Sequence, residues 1–197
     1  QVAIREGPGT VVGTGCVVSS SAVALVEFLR SRGALGDLLE LGSGTGVVAI
    51  GAALLGGRVV ATDVPTNVHG CSEAPQQKAA SGLFDDLLEV IRFNVDQNSS
   101  LISEAGGDVA VMELLWGNKA HTEAIRCARP AGFDHILGCE ITYQTPSYQA
   151  LAETIRALSS PRTKTYLAYS LGDTGLLKSA AEAAGLRMER VHGDASS

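Results

Sequence analysis

Paired cysteines are missing from this 197-residue chain. Cys16, Cys71, Cys127 and Cys139 are scattered and form no Cys-x-x-Cys pair, so a disulfide framework or structural zinc site is not expected, and reduced intracellular thiols are. Long apolar runs are missing as well. None reaches the roughly 18–20 residues of a membrane span, and no signal-peptide pattern opens the chain. The expected location is the cytoplasm, with the nucleus also open. Charge is sparse, at 18% of residues, and the net charge is −6. That argues against nucleic acid as the main partner, because phosphate binding relies on clustered Lys and Arg. His69, His121, His135 and His192 share no metal-ligand spacing, and no metal is expected. The chain opens on Gln1 rather than Met and closes on Asp194-Ala195-Ser196-Ser197, which reads as a piece of something longer.

What is present is a core and a rhythm. Apolar residues make up 45% of the chain, enough for one sizeable domain spanning 1–197. Residues 1–33 read as an N-terminal extension: a short strand and Gly-rich loop in Gln1–Gly15, then a helix over Ser20–Arg32. Val23, Val26 and Leu29–Arg30 fall near one face of that helix, and Gly33 sits at its end. Strands are expected at Leu38–Leu41, Arg58–Thr62, Asp108–Met112, Asp134–Cys139, Thr165–Leu171 and Leu186–His192. Helices are expected at Gly46–Leu55, from Leu83 through Leu87, Ile91 and Val95, from Thr145-Pro146 through Leu158, and over Asp173–Ala184. Residues 65–82 carry Pro, Gly, Ser, Gln and Asn without a period and read as a loop insertion. Strands alternating with helices imply an α/β fold, a Rossmann-like, doubly wound, mostly parallel sheet. Ligands in such sheets bind beyond the carboxyl ends of the strands. Those ends carry Gly42–Gly46, Asp63, Glu113–Gly117, Glu140–Tyr143 and Ser170.

The first of these ends is the most informative. Glu40-Leu41-Gly42-Ser43-Gly44-Thr45-Gly46 joins a strand to a helix, and glycines let a ligand approach the backbone. Asp63 closes the next strand, where a carboxylate can accept both ribose hydroxyls. A dinucleotide and S-adenosylmethionine both fit that pair, and a plain glycine turn needs no ligand at all. Two details separate them. Gly46 comes one position early for the dinucleotide pattern Gly-x-Gly-x-x-Gly. Glu40 would also repel a pyrophosphate, whereas it would attract the α-ammonium of S-adenosylmethionine.

Four blocks then carry a resemblance: Gly13–Leu29, Leu39–Asp63, Leu87–Asn98 with Met112-Glu113-Leu114-Leu115-Trp116-Gly117-Asn118, and Phe133–Tyr143. In these the chain resembles the seven-β-strand methyltransferases, and within them the METTL21-like protein-lysine methyltransferases of methyltransferase family 16. The resemblance implies an enzyme that uses S-adenosylmethionine to methylate a lysine of a protein substrate. It implies that Glu40, Gly42 and Gly44 hold the methionine part, that Ser43 and Gly46 also bind the cofactor, that Asp63 holds the ribose, and that Leu115 and Trp116 flank the adenine. Cys139 falls where a small residue borders the cofactor, and Glu140-Ile141-Thr142-Tyr143 matches the Asp/Glu-x-x-Tyr motif. Glu140 and Tyr143 are therefore the candidate catalytic pair. Another acceptor (a histidine, an N-terminus or a small molecule) and a non-catalytic module of the same fold are the alternatives.

Four departures accompany the resemblance. Ser19-Ser20 stand where the family usually has Trp-Asp, the insertion at 65–82 is long, the region after Ser170 lacks the expected Arg and Glu, and the final hairpin lacks a strand after Leu186–His192.

Overall fold

The computed structural model describes residues 2–5, 17–65, 87–170 and 172–191. Five strands form one sheet in the order β3-β2-β1-β4-β5, every neighbouring pair parallel. They are β1 (Asp37–Leu41), β2 (Arg58–Asp63), β3 (Asp108–Glu113), β4 (His135–Cys139) and β5 (Lys164–Ala168). The helices are α1 (Ser20–Arg30), α2 (Val47–Leu54), α3 (Leu87–Gln97), α4 (Ser99–Glu104), α5 (Lys119–Ala128), α6 (Tyr148–Leu158) and α7 (Thr174–Ala183). This is the Rossmann-like arrangement expected from the alternation. None of the described helices is long and apolar enough to cross a membrane.

The two-residue period of the central strands divides the core into two layers. Leu38, Val59, Ala61 and Leu137 pack with α1, α2, and residues Leu88, Ile91 and Ile102 of α3 and α4. Leu39, Leu41, Val60 and Ile136 face the other way, onto Ile125 of α5, Leu151 and Ile155 of α6 and Leu177 of α7. Strand order reverses at β1, which pairs with β2 on one side and β4 on the other. Such a switch point opens a crevice at the carboxyl end of the sheet.

Local chemistry fixes the helix ends. Ser19 Oγ accepts from Ala22 N at 3.1 Å and starts α1. Asn118 Oδ1 caps α5 through Ala120 N and His121 N, and Asp173 Oδ1 caps α7 through Leu176 N.

Several expectations are corrected. The buried stripe of α1 is Ala22, Leu25 and Leu29; Val23 is 56% exposed, and Val26 packs at the edge of the stripe against Gly51. Helices α4 and α5 were not anticipated. Helix α4 is six residues long and buries only Ile102, and α5 is polar overall and buries Ile125 with Thr122, so few apolar residues mark either one. Pro146 lies in a short 3₁₀ turn, Thr145–Ser147, that leads into α6. β5 stops at Ala168, because the Ser170 N–H goes to the Glu140 carboxylate instead of a strand partner. Leu186–Val191 is not a strand, and neither is Val2–Arg5. The rest of the N-terminal loop, the insertion from residue 66 onward, and Leu83 with Phe84 lie outside the described residues.

Candidate functional site

The carboxyl ends of β1, β2 and β4 bring the sequence-distant blocks together. After β1 the chain turns through Gly42, Gly44 and Gly46 at φ of 64°, 54° and 78°. An L side chain strains in this left-handed region. Gly46 then caps α2. The turn is tied to the end of β2: Ser43 N donates to Thr62 O at 2.9 Å, and Thr62 N donates to Ser43 Oγ at 3.1 Å. Asp63 Oδ2 accepts from Gly44 N at 2.8 Å, and its Oδ1 accepts from Val64 N. Asp63 is thus aimed at the glycine turn rather than merely ending a strand.

Glu40 shares the strand face of Leu38, beneath α2. It is 1% exposed, and its Oε2 accepts from Ala49 N at 3.0 Å. Burial pushes its carboxyl up to about 8, and the nearby Asp63 charge adds to this, while bonds from Ser43 and Ala49 oppose it. No cationic side chain contributes among the described residues. A buried carboxylate without a countercharge is a position where a cationic ligand group would be stabilised.

Gly42 faces the opposite wall of the crevice. A Cβ there would lie 2.7 Å from Ile141 Cγ2 and 3.8 Å from Trp116 Cζ2. The glycine turn, the Leu115-Trp116 block and the segment after β4 therefore meet at one point. Leu115 and Trp116 are half-buried. Leu115 N donates to His121 Nδ1 at 3.1 Å, so the first turn of α5 holds this block in place. Gly117 N donates to Thr154 Oγ1 at 2.8 Å.

At the end of β4, Cys139 Sγ lies 3.5 Å from Ser19 Oγ. Burial, with some repulsion from Glu40 and Glu140, raises the Cys139 thiol, which disfavours a nucleophilic thiolate. Glu140 follows at φ 53°, the one left-handed non-glycine among the described residues. Such a conformation costs about 1–3 kcal/mol and persists only where the surroundings fix it. Here they do: both carboxylate oxygens accept from Ser170 N, at 3.0 and 3.1 Å, and Oε1 accepts from Ser21 Oγ at 2.5 Å. The following turn is pinned by Tyr148, whose hydroxyl donates to Thr142 O at 2.5 Å and accepts from Asp173 N at 3.0 Å. Tyr143 is 56% exposed.

All eleven residues singled out in the sequence lie at the carboxyl ends of β1 to β4 or in the turns that follow them. Ser21, Ile141 and Tyr148 are contributors to which the sequence assigned no role. Ser21 sits two positions after a helix-capping serine, an ordinary place for a serine, and nothing local points to Glu140.

The lysine methyltransferase family model matches residues 1–174. The chain is 31% identical to EEF1A lysine methyltransferase 3 of Mus musculus over 173 residues, 85% of this chain and 61% of that one. It is 33% identical to protein N-lysine methyltransferase METTL21A of Danio rerio over 161 residues, 79% of this chain and 61% of that one. It thus spans about three fifths of these relatives' length. Among solved structures, the fold resembles a SAM-dependent methyltransferase of Agrobacterium tumefaciens, with TM-score 0.54, 15% identity and coverage of 87% of this chain and 52% of that one. It also resembles the glycopeptide N-methyltransferase MtfA complexed with sinefungin, with TM-score 0.50, 16% identity and coverage of 79% and 51%. With its glycine turn, acidic strand ends and family-matched sequence, this chain belongs to the lysine methyltransferase family.

Proposed function

We propose that this chain binds S-adenosylmethionine and directs its methyl group to the side-chain nitrogen of a lysine in a protein substrate, in the cytoplasm or nucleus. The observation that carries the proposal is the convergence at Gly42, where the glycine turn, Trp116 and Ile141 of the Glu140–Tyr143 segment meet. Family membership and the names of the two relatives support the lysine acceptor.

In this reading Gly42, Ser43, Gly44 and Gly46 let the methionine part of the cofactor lie against backbone. The buried Glu40 carboxylate supplies the negative potential that its ammonium group needs. Asp63 accepts from the ribose hydroxyls, Leu115 and Trp116 flank the adenine, and Cys139 borders the ligand with a small, thiol-protonated side chain. When bound, the cofactor supplies an electrophilic methyl group on a sulfonium, open to in-line displacement by an amine. The chain's own contribution is proximity and orientation. Glu140 and Tyr143 accept hydrogen bonds from the acceptor nitrogen and aim its lone pair. Lysine titrates near 10.4 in water, so the acceptor must lose a proton before attack. Desolvation in the crevice favours the neutral amine, and the proton leaves to solvent.

Titration calorimetry with S-adenosylmethionine tests the cofactor half. One saturable site is expected, weakened by about tenfold or more in Asp63→Ala, the scale of a lost hydrogen bond to a charged group. Equal binding by Asp63→Ala and Gly42→Ala would overturn the assignment.

A further inference from the structure

Two asparagines, one on α3 and one just past its end at the start of α4, do something the proposed reaction does not require. Asn94 and Asn98 are one helical turn apart and are 0% and 1% exposed. Asn98 Oδ1 accepts from Ala3 N at 3.0 Å, and its Nδ2 donates to Ala3 O at 2.6 Å. Asn94 Oδ1 accepts from Arg5 N at 2.8 Å, and its Nδ2 donates to Arg5 O at 3.0 Å. Each amide thus pairs with one residue's N–H and C=O, as a neighbouring strand would. The spacing fits: four helical residues rise about 6 Å, and two extended residues span about 6.7 Å. The Arg5 guanidinium lies over the Phe93 ring, 5.5 Å from its centroid.

The second amide hydrogen of each asparagine continues the chain of bonds. Asn98 Nδ2 also donates to Asn94 O at 2.7 Å. Asn94 Nδ2 also donates to Thr45 O, inside the glycine turn, at 2.9 Å. One buried amide therefore holds the N-terminal segment with one edge and the turn with the other. Releasing the segment would leave Asn94 Oδ1 and one of its amide hydrogens unpaired in a buried place. The amide would then turn or draw in water to recover those partners, and its bond to Thr45 would loosen.

We infer that Ala3–Arg5 is a strap acting in cis, which fixes the glycine turn through Asn94 and so sets cofactor affinity. Asn94 is then a positioning residue for the ligand, and Asn98 anchors the far end of the strap. The affinity part rests on the cofactor reading above; the mechanical coupling does not.

The test uses the full chain carrying Ala3→Pro and Arg5→Pro together. These remove both donated backbone N–H groups and alter no core side chain. In the protein without cofactor, amide hydrogen exchange across residues 42–49 is expected to quicken about fivefold or more, the scale of one weakened hydrogen bond, while the β4 amides stay as they were. Affinity for S-adenosylhomocysteine, a non-reacting probe, is expected to fall by a similar factor. Asn98→Ala, which touches no atom of the turn, is expected to shift both readouts in the same direction and to add nothing in the double-proline background. Unchanged exchange across 42–49 would overturn the inference, as would equal quickening in β4. If the wild-type chain failed to bind S-adenosylhomocysteine, the cofactor reading would fall, and the exchange data would still decide the coupling.

Discussion

Ser21 donates a hydrogen bond to Glu140 at 2.5 Å across 119 residues of sequence. Helix α1 thereby reaches the end of β4, and the serine grips the carboxylate of a residue held at φ 53°. In the proposed reaction this sets where the acceptor nitrogen is bound. Glu140→Gln keeps the shape but removes the charge, so methyl transfer should fall about 100-fold and cofactor affinity by less than about threefold. Ser21→Ala should lower transfer about 5–10-fold, with Ser21→Thr recovering part of it. Steady-state rates beside calorimetry check both; an equal loss of cofactor affinity would point to misfolding rather than mispositioning.

Glu40 makes the free protein sensitive to pH. Its carboxyl has an ordinary value of 4.5 and is pushed up to about 8 by burial in the fold. Between those values the folded state keeps a proton that the unfolded chain has released. Stability therefore falls as pH rises from about 4.5 to about 8, with the loss complete above. Thermal melts across that range should show this slope in the wild type and a shallower one in Glu40→Gln. A cationic ligand favours the ionised carboxylate, so S-adenosylmethionine affinity should climb from about pH 6 to 7.5, and Glu40→Gln should flatten the climb.

Gly42 is the tightest point of the crevice. An alanine there must hold φ near 64° and pass Ile141 Cγ2 at 2.7 Å. Gly42→Ala should cost about 1–3 kcal/mol of stability, read by denaturant titration. Adding Ile141→Ala relieves the contact but not the backbone strain, so only part of the loss should return.

Tyr148 is 3% exposed, and its hydroxyl is the link between the turn after β4 and the start of α7. Tyr148→Phe leaves Thr142 O and Asp173 N without that partner. Stability should drop by about 1–3 kcal/mol. Methyl transfer should drop with it at temperatures where the variant is fully folded, because the turn carrying Tyr143 is released.

The strands β1 to β4 are legible because parallel strands read as largely apolar runs between turn signals, as in Arg58–Asp63 and His135–Cys139. Their ends were legible for the same reason, and the candidate site residues stand on those ends. Helix α5 was hidden because Ile125 is its single buried large apolar residue. The buried face of α1 is turned from the expected one: Ala22 and Leu25 are buried and Val23 is exposed, while Val26 packs at the edge of the core. Leu186–Val191 has a strand's composition but forms no strand. Pairings such as Ser21 with Glu140, or Asn94 with Thr45, depend on where distant segments meet. No local pattern encodes that meeting.

The most direct test of the central claim is methyl transfer itself. Purified protein, lysate depleted of its own methylation and S-adenosylmethionine carrying a labelled methyl group are incubated together, and the labelled residue is located by peptide mass spectrometry. The account predicts label on a lysine side chain of a protein, present with the wild type and lost with Glu140→Gln. Label on a histidine, an N-terminus or a small molecule, or equal labelling by Glu140→Gln, would contradict it.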